Sequence, residues 1–205
     1  MVENLRLTHK EVGSMKVYED NDRFFDVLWE KIDKAKDLIC IQTYAMDHKN
    51  VAGITLQKLR NAAKRGVRVY LIIDDLCYYA NNEWIRQMEA AGGICVRNQP
   101  TMRDFKETIL GPRASTYFQR NHQKVMLVDD NIFCGSLNLA NSYTSVRYGD
   151  GSFRDMNIIL KGHPAKRVRD FFRDILIRNE KFWPDKIKRD EVNKVFDEFD
   201  IKYAW

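Results

Sequence analysis

Residues 38–75 read LICIQTYAMDHKNVAGITLQKLRNAAKRGVRVYLIIDD, and the apolar period changes twice along them. Leu38 to Tyr44 is a nearly continuous apolar run, the pattern of a strand buried on both faces. From about Val51 to Arg65 the period becomes helical, with Ala52, Leu56, Leu59 and Ala63 on one stripe and Gly66 as the stop. Val67 to Ile73 returns to a β-branched run, and Asp74-Asp75 brings its carboxyl end to solvent. A second step follows, with a helix from about Asn82 to Ala91, the pair Gly92-Gly93, and a short strand from Ile94 to Val96. Two β-α-β steps in succession predict an α/β fold. Its sheet is mixed and largely parallel, flanked by helices on both faces, with ligands gathering at the carboxyl ends of the strands.

Upstream, Asp20 is a helix N-cap, followed by Phe24, Phe25, Leu28, Ile32 and Ala35 on one face. Downstream, Lys124 to Val128 and Ile132 to Cys134 form a hairpin around Asp129-Asp130-Asn131, and Met156 to Leu160 is a further strand. Val168, Phe171, Phe172, Ile175 and Leu176 mark another helix. Thr101 to Arg120 carries Gly111, Pro112, four bases (Arg103, Lys106, Arg113, Arg120) and the aromatics Phe105, Tyr117 and Phe118, and it reads as a long loop, of the kind that is either functional or disordered. The expected organisation is one domain over residues 14–183. A charged tail over 184–205 follows, where Val192, Val195, Phe196 and Phe199 suggest a peripheral helix.

Composition supports a folded domain. Of 205 residues, 44% are hydrophobic and 31% charged, which excludes a disordered chain. The net charge of +5 favours anionic partners without choosing between phospholipid and nucleic acid. Cys40, Cys77, Cys95 and Cys134 are scattered through apolar stretches, as buried thiols in a reducing compartment would be, and form no zinc pattern. No apolar run reaches the ~20 residues of a membrane span. Glu3 and Glu11 argue against a signal peptide at this N-terminus.

The chemistry concentrates between Arg120 and Asn138. His122 and Lys124 are two residues apart, so on a strand an imidazole and an ammonium share one face. Ser136 and Asn138 repeat that spacing beyond the hairpin, allowing four polar groups to converge on one anion. A neutral imidazole can attack phosphorus to form a covalent intermediate. Lys124 and Asn138 would hold the nonbridging oxygens, with the Ser136 hydroxyl as another donor. Asp129 reads as an orienting or structural carboxylate grouped with this set. No metal or cofactor is needed, because Lys and Asn supply the electrostatics. His9, His48 and His163 lack a lysine two residues on and read as structural.

His122, Lys124 and Asp129, with Gly135, Ser136 and Asn138 beyond them, resemble the HKD motif of the phospholipase D superfamily and its G-S-x-N extension. Thr43-Tyr44, Asp47, Ala62-Ala63-Lys64-Arg65-Gly66-Val67, Asp74-Asp75 and Phe153-Arg154-Asp155 are similar to the cardiolipin synthase subgroup. The resemblance implies a phospholipase D-like fold, with Asp155 as acidic partner of an active-site histidine. Five residues separate Asp129 from Gly135, one fewer than is usual in the family, which leaves Ser136 and Asn138 less secure.

The family's site uses two such motifs, one histidine as nucleophile and one as general acid, and this sequence contains one motif. The resemblance therefore implies a second half, from another copy in a homodimer, from a C-terminal half outside this sequence, or from a larger complex. It also implies an anionic phospholipid substrate at a bacterial or mitochondrial membrane surface. Two other readings stay open at this point. One is an endonuclease using the same chemistry on nucleic acid; the other is a catalytically silent subunit of a larger complex.

Overall fold

The computed structural model describes residues 12–75, 79–98, 122–145, 147–148 and 153–203. The loop expected over 101–120, together with Cys77, lies outside the described residues.

Helix α1 (Asn21–Lys34) starts where Asp20 accepts a hydrogen bond from the Arg23 amide at 3.1 Å, satisfying a donor that the helix itself leaves open. Strand β2 (Leu38–Thr43) is buried along its whole length. Helix α2 (Asn50–Lys64) ends at Gly66, whose φ of +88° is the left-handed geometry such a stop requires. Strand β3 (Arg68–Asp74) follows, then helix α3 (Asn82–Ala90), capped by the Asn81 side chain, and strand β4 (Ile94–Asn98). The hairpin is β5 (Val125–Val128) and β6 (Asn131–Cys134). A single 3-10 turn over Asn141–Tyr143 leads toward β7 (Asn157–Gly162) and helix α4 (Pro164–Asn179).

Strand β1 (Val12–Tyr18) completes a seven-stranded sheet of order β1-β7-β6-β5-β2-β3-β4. The sheet is mixed and flanked by helices, as the β-α-β steps predict. Parallel pairing is narrower than expected. It is confined to β2–β3 and β3–β4, where the helical crossovers enforce it. The pairings β1–β7, β7–β6, β6–β5 and β5–β2 are all antiparallel. Strand β1 is hard to read from sequence because its described side chains face out: Met15 is 58% and Val17 50% exposed.

Alternation along the central strands divides the core. Ile39 and Ile41 of β2, with Val69 and Leu71 of β3, pack under α1, α2 and α3. Leu38 and Cys40, with Tyr70 and Ile72, face the opposite layer of α4 and a further helix, α5 (Arg189–Lys202). Val192, Val195, Phe196 and Phe199 are all buried against this second cluster, so the charged tail carries an integral core helix. The two helices of that layer are clamped by charge. Arg169, 1% exposed, donates to Asp200 at 2.6 Å, and Arg173 reaches the other Asp200 oxygen at 3.1 Å. No described helix is long and apolar enough to cross a membrane.

Candidate active site

Val125 pairs with Gln42, so the residue before it, Lys124, stands opposite Thr43 where β2 ends. Just ahead of β5, His122 is exposed and Lys124 nine-tenths buried. The two side chains converge. Lys124 Nζ lies 3.2 Å from His122 Nδ1 and 3.4 Å from Nε2, and it donates to the His122 carbonyl at 2.9 Å. The Tyr44 ring closes the other side, its centroid 4.5 Å from that of the imidazole. The ammonium also lies 5.5 Å from the Tyr44 centroid, within range of a cation–π attraction.

Asn138 reaches this end of the sheet, where it serves as a clamp. Its Oδ1 accepts from the Ala45 amide at 3.1 Å and from Thr43 Oγ1 at 3.5 Å, while its Nδ2 donates to the Tyr143 hydroxyl at 2.8 Å. The residues it grips flank Tyr44, so the asparagine fixes the ring that packs on His122. Backbone bonds extend the grip: Asp47 N donates to Leu139 O at 3.2 Å and Leu139 N to Ala45 O at 3.3 Å. Ser136 stays exposed.

The shortened hairpin closes in a two-residue turn, because Val128 pairs directly with Asn131. Asp129 stands first in it at φ +52°, which aspartate tolerates better than most residues. This position sets Asp129 apart from His122 and Lys124, in keeping with an orienting or structural carboxylate. The length of β5 separates it from His122, and its carboxylate accepts the Lys36 amide at 3.1 Å, Asp37 at 3.0 Å and Leu38 at 3.1 Å. Asp129 caps the start of β2, at the far end from the imidazole. Asp155 is half-buried, and no hydrogen bond or ion pair joins it to His122 among the described residues.

Several supporting residues escape a sequence reading. Asn141 Oδ1 accepts the Val51 amide at the start of α2 at 3.0 Å, and its own amide donates to Asp47 Oδ2 at 2.8 Å. Asn21 donates to the carbonyls of Tyr143 and Phe153, both at 2.9 Å, and accepts from Asn157 at 3.2 Å. Asp22 holds Ser145 through both its amide and its hydroxyl. Gly135 is required by a close approach, since a Cβ there would lie 2.1 Å from Asn157 Oδ1. The only sequence signal for this network is a series of Asn and Asp residues next to element ends, where backbone groups need partners.

Comparison with known proteins places this geometry. The family pattern described as cardiolipin synthase, PLD-like domain matches residues 28–176. Cardiolipin synthase of Clostridium perfringens (strain 13) is 27% identical over 161 residues, covering 76% of this chain and 31% of its own length. The chain thus spans about a third of the curated relatives it matches. Among solved structures, Nuc of Salmonella typhimurium, a phospholipase D family member, superposes with a TM-score of 0.55 at 19% identity, over 79% of this chain and 93% of its own. Phosphatidylserine synthase of Haemophilus influenzae superposes at 0.56 with 13% identity, over 94% and 43%. Those two likenesses are of fold. The pattern covers most of the chain, from α1 through the imidazole–ammonium pair into α4, so this chain belongs to the cardiolipin synthase phospholipase D-like domain family.

Proposed function

We propose that this domain is half of a phosphodiester-cleaving site that transfers a phosphatidyl group through a covalent phosphohistidine at His122. The supporting observation is the exposed imidazole held within 3.2–3.4 Å of the Lys124 ammonium and backed by the Tyr44 ring. A ring nitrogen gives its lone pair to phosphorus, the bond from phosphorus to the leaving alcohol oxygen breaks, and Lys124 offsets the charge on the nonbridging oxygens. The leaving oxygen takes a proton from a second histidine, supplied by another HKD half. That same histidine then deprotonates an acceptor alcohol or water, whose oxygen attacks the phosphohistidine and frees the ring. In this scheme Asp155 is the acidic partner of such a histidine. The exposed Ser136 hydroxyl adds a donor to the phosphate in this scheme. An anionic phospholipid is the proposed substrate, met at a membrane surface.

The test incubates the protein with labelled phosphatidylglycerol and, separately, labelled single-stranded DNA, after measuring its mass in solution. Expected is lipid turnover by an assembled species, lost in His122→Ala with the fold intact, since that side chain is exposed. DNA cleavage lost in the same variant assigns a nuclease instead. Silence on both substrates by a verified dimer sinks the catalytic account.

A further inference from the structure

A cavity of about 540 Å³ opens between α2, α3 and the Arg147–Tyr148 segment, and it shares no lining residue with the His122 cluster. That volume lies within the ~300–1,000 Å³ usual for small-molecule sites. Its walls include Arg60, Gln57, Trp84, Gln87, Arg147 and Tyr148, and none of the described lining residues is acidic. Arg147 has a carboxylate outside the cavity wall, Asp26 at 3.1 Å. Arg60 differs. Its Nη1 donates to the neutral Gln87 amide at 2.8 Å, its buried Nε has no hydrogen-bond partner, and no ion pair reaches it among the described residues. A half-buried guanidinium without a counter-charge is costly to maintain unless an anion completes it.

The second observation is the placement of the indole. Gly53 stands inside α2, where glycine is less favourable than alanine. A Cβ there would lie 2.9 Å from Trp84 Cη2 and Cζ3, so the glycine exists to admit the ring. Tyr148 also lines the cavity, its hydroxyl fixed by Asp26 at 2.7 Å and its ring packed by Trp29, with centroids 5.1 Å apart, and by the Arg147 guanidinium, 4.7 Å from its centroid. Two aromatic surfaces and an uncompensated guanidinium therefore face one space.

We propose that this cavity binds a small phosphate carried on a planar ring, in chemical class a nucleoside monophosphate. Arg60 is its counter-charge, and Trp84 and Tyr148 are the surfaces on which the ring stacks. The side-chain amide of Gln57 supplies a polar edge that fixes its orientation, while Gln87, bonded to Arg60 and Glu83, holds the guanidinium in place. The proposal does not rest on the His122 chemistry and stands or falls apart from it.

Calorimetric titration of the full chain with adenosine monophosphate, adenosine, glycerol phosphate and inorganic phosphate tests it. Expected is a Kd for adenosine monophosphate below about 1 mM, with each of the other three at least about tenfold weaker. Arg60→Gln and Trp84→Leu, each verified as folded by circular dichroism, weaken it about tenfold or more, and the Trp84 indole N–H resonance of the unaltered protein shifts on binding. No heat with the nucleotide, or equal affinity in both variants, overturns the proposal. Glycerol phosphate or inorganic phosphate binding as tightly as the nucleotide overturns it too, because the rings would then have no part in recognition.

Discussion

Asn138 and Lys124 show two ways in which a polar side chain positions the His122 imidazole. The lysine touches the imidazole, while the asparagine holds the strand end that carries the ring packed on it. Asn138→Ala leaves the Ala45 amide and the Tyr143 hydroxyl without that partner, and a buried unsatisfied group costs about 1–3 kcal/mol. Urea denaturation should show that loss, and turnover should fall further than the folded fraction does because Tyr44 is released. Tyr143→Phe removes one neutral hydrogen bond and should cost about 1 kcal/mol with milder loss of turnover. Equal turnover in wild type and folded Asn138→Ala would show that Tyr44 needs no holding. The spacing of His122 and Lys124 made their convergence readable from sequence. The clamp was not readable, since two of its partners, Thr43 and Ala45, lie more than 90 residues away in sequence, and nothing in the sequence pairs Asn138 with the nearby Tyr143.

At the level of strands and helices, Asp129 acts on β2 while belonging to the β5–β6 turn. Three main-chain amides end on its carboxylate, and hydrogen bonds to a charged group contribute about 1.5–3 kcal/mol each. Asp129→Ala, which also strains the left-handed turn, should lower the urea midpoint markedly while the folded fraction keeps its turnover. Turnover abolished in a protein of undiminished stability would return Asp129 to the reaction. The α4–α5 clamp yields a parallel expectation. Asp200→Ala strands the buried Arg169 guanidinium and should cost about 3 kcal/mol, the lower end for a broken buried pair because Asp200 keeps some water contact. Amide exchange should accelerate first in α5, and unchanged protection there would deny the clamp its role. The buried face of α5 was legible as the spacing of Val192, Val195, Phe196 and Phe199. Its integration into the core was not, because surface charges dominate that stretch and Asp200 declares no partner in sequence. The parallel strands were legible from their helical crossovers. β1 was not, because an exposed edge strand lacks the alternation that marks a buried face.

Across the whole molecule, the protons held by buried groups in both core layers set an alkaline limit to stability. Desolvation by burial pushes the Tyr70 hydroxyl up to about 12 and the Cys95 thiol up to about 12, and it raises the Cys40 thiol well above its ordinary value. The unfolded chain loses these protons from pH 9.0 for cysteine and 10.0 for tyrosine, while the folded chain keeps them to about 12. The folded state thus binds more protons in that window, and linkage requires stability to fall as pH rises through it. Asp37 works in the opposite direction. Burial alone would raise its carboxyl, but hydrogen bonds from Lys202 and Tyr203 and the charge of Lys202 outweigh that and hold it below 3.8, so its contribution is present above that value and fades in acid. Urea midpoints measured across pH should be flat near neutrality and decline between 9.0 and about 12. Tyr70→Phe removes one of the titrating protons and should flatten the alkaline limb, and Cys95→Ala should flatten its earlier part. The native thiols of Cys40 and Cys95 should resist alkylation until the sheet opens, at the same pH and urea that unfold it. A midpoint that stays level to pH 12 would mean that Tyr70, under α4 and α5, and Cys95, in the opposite layer, stay in contact with water, against the packing of both layers.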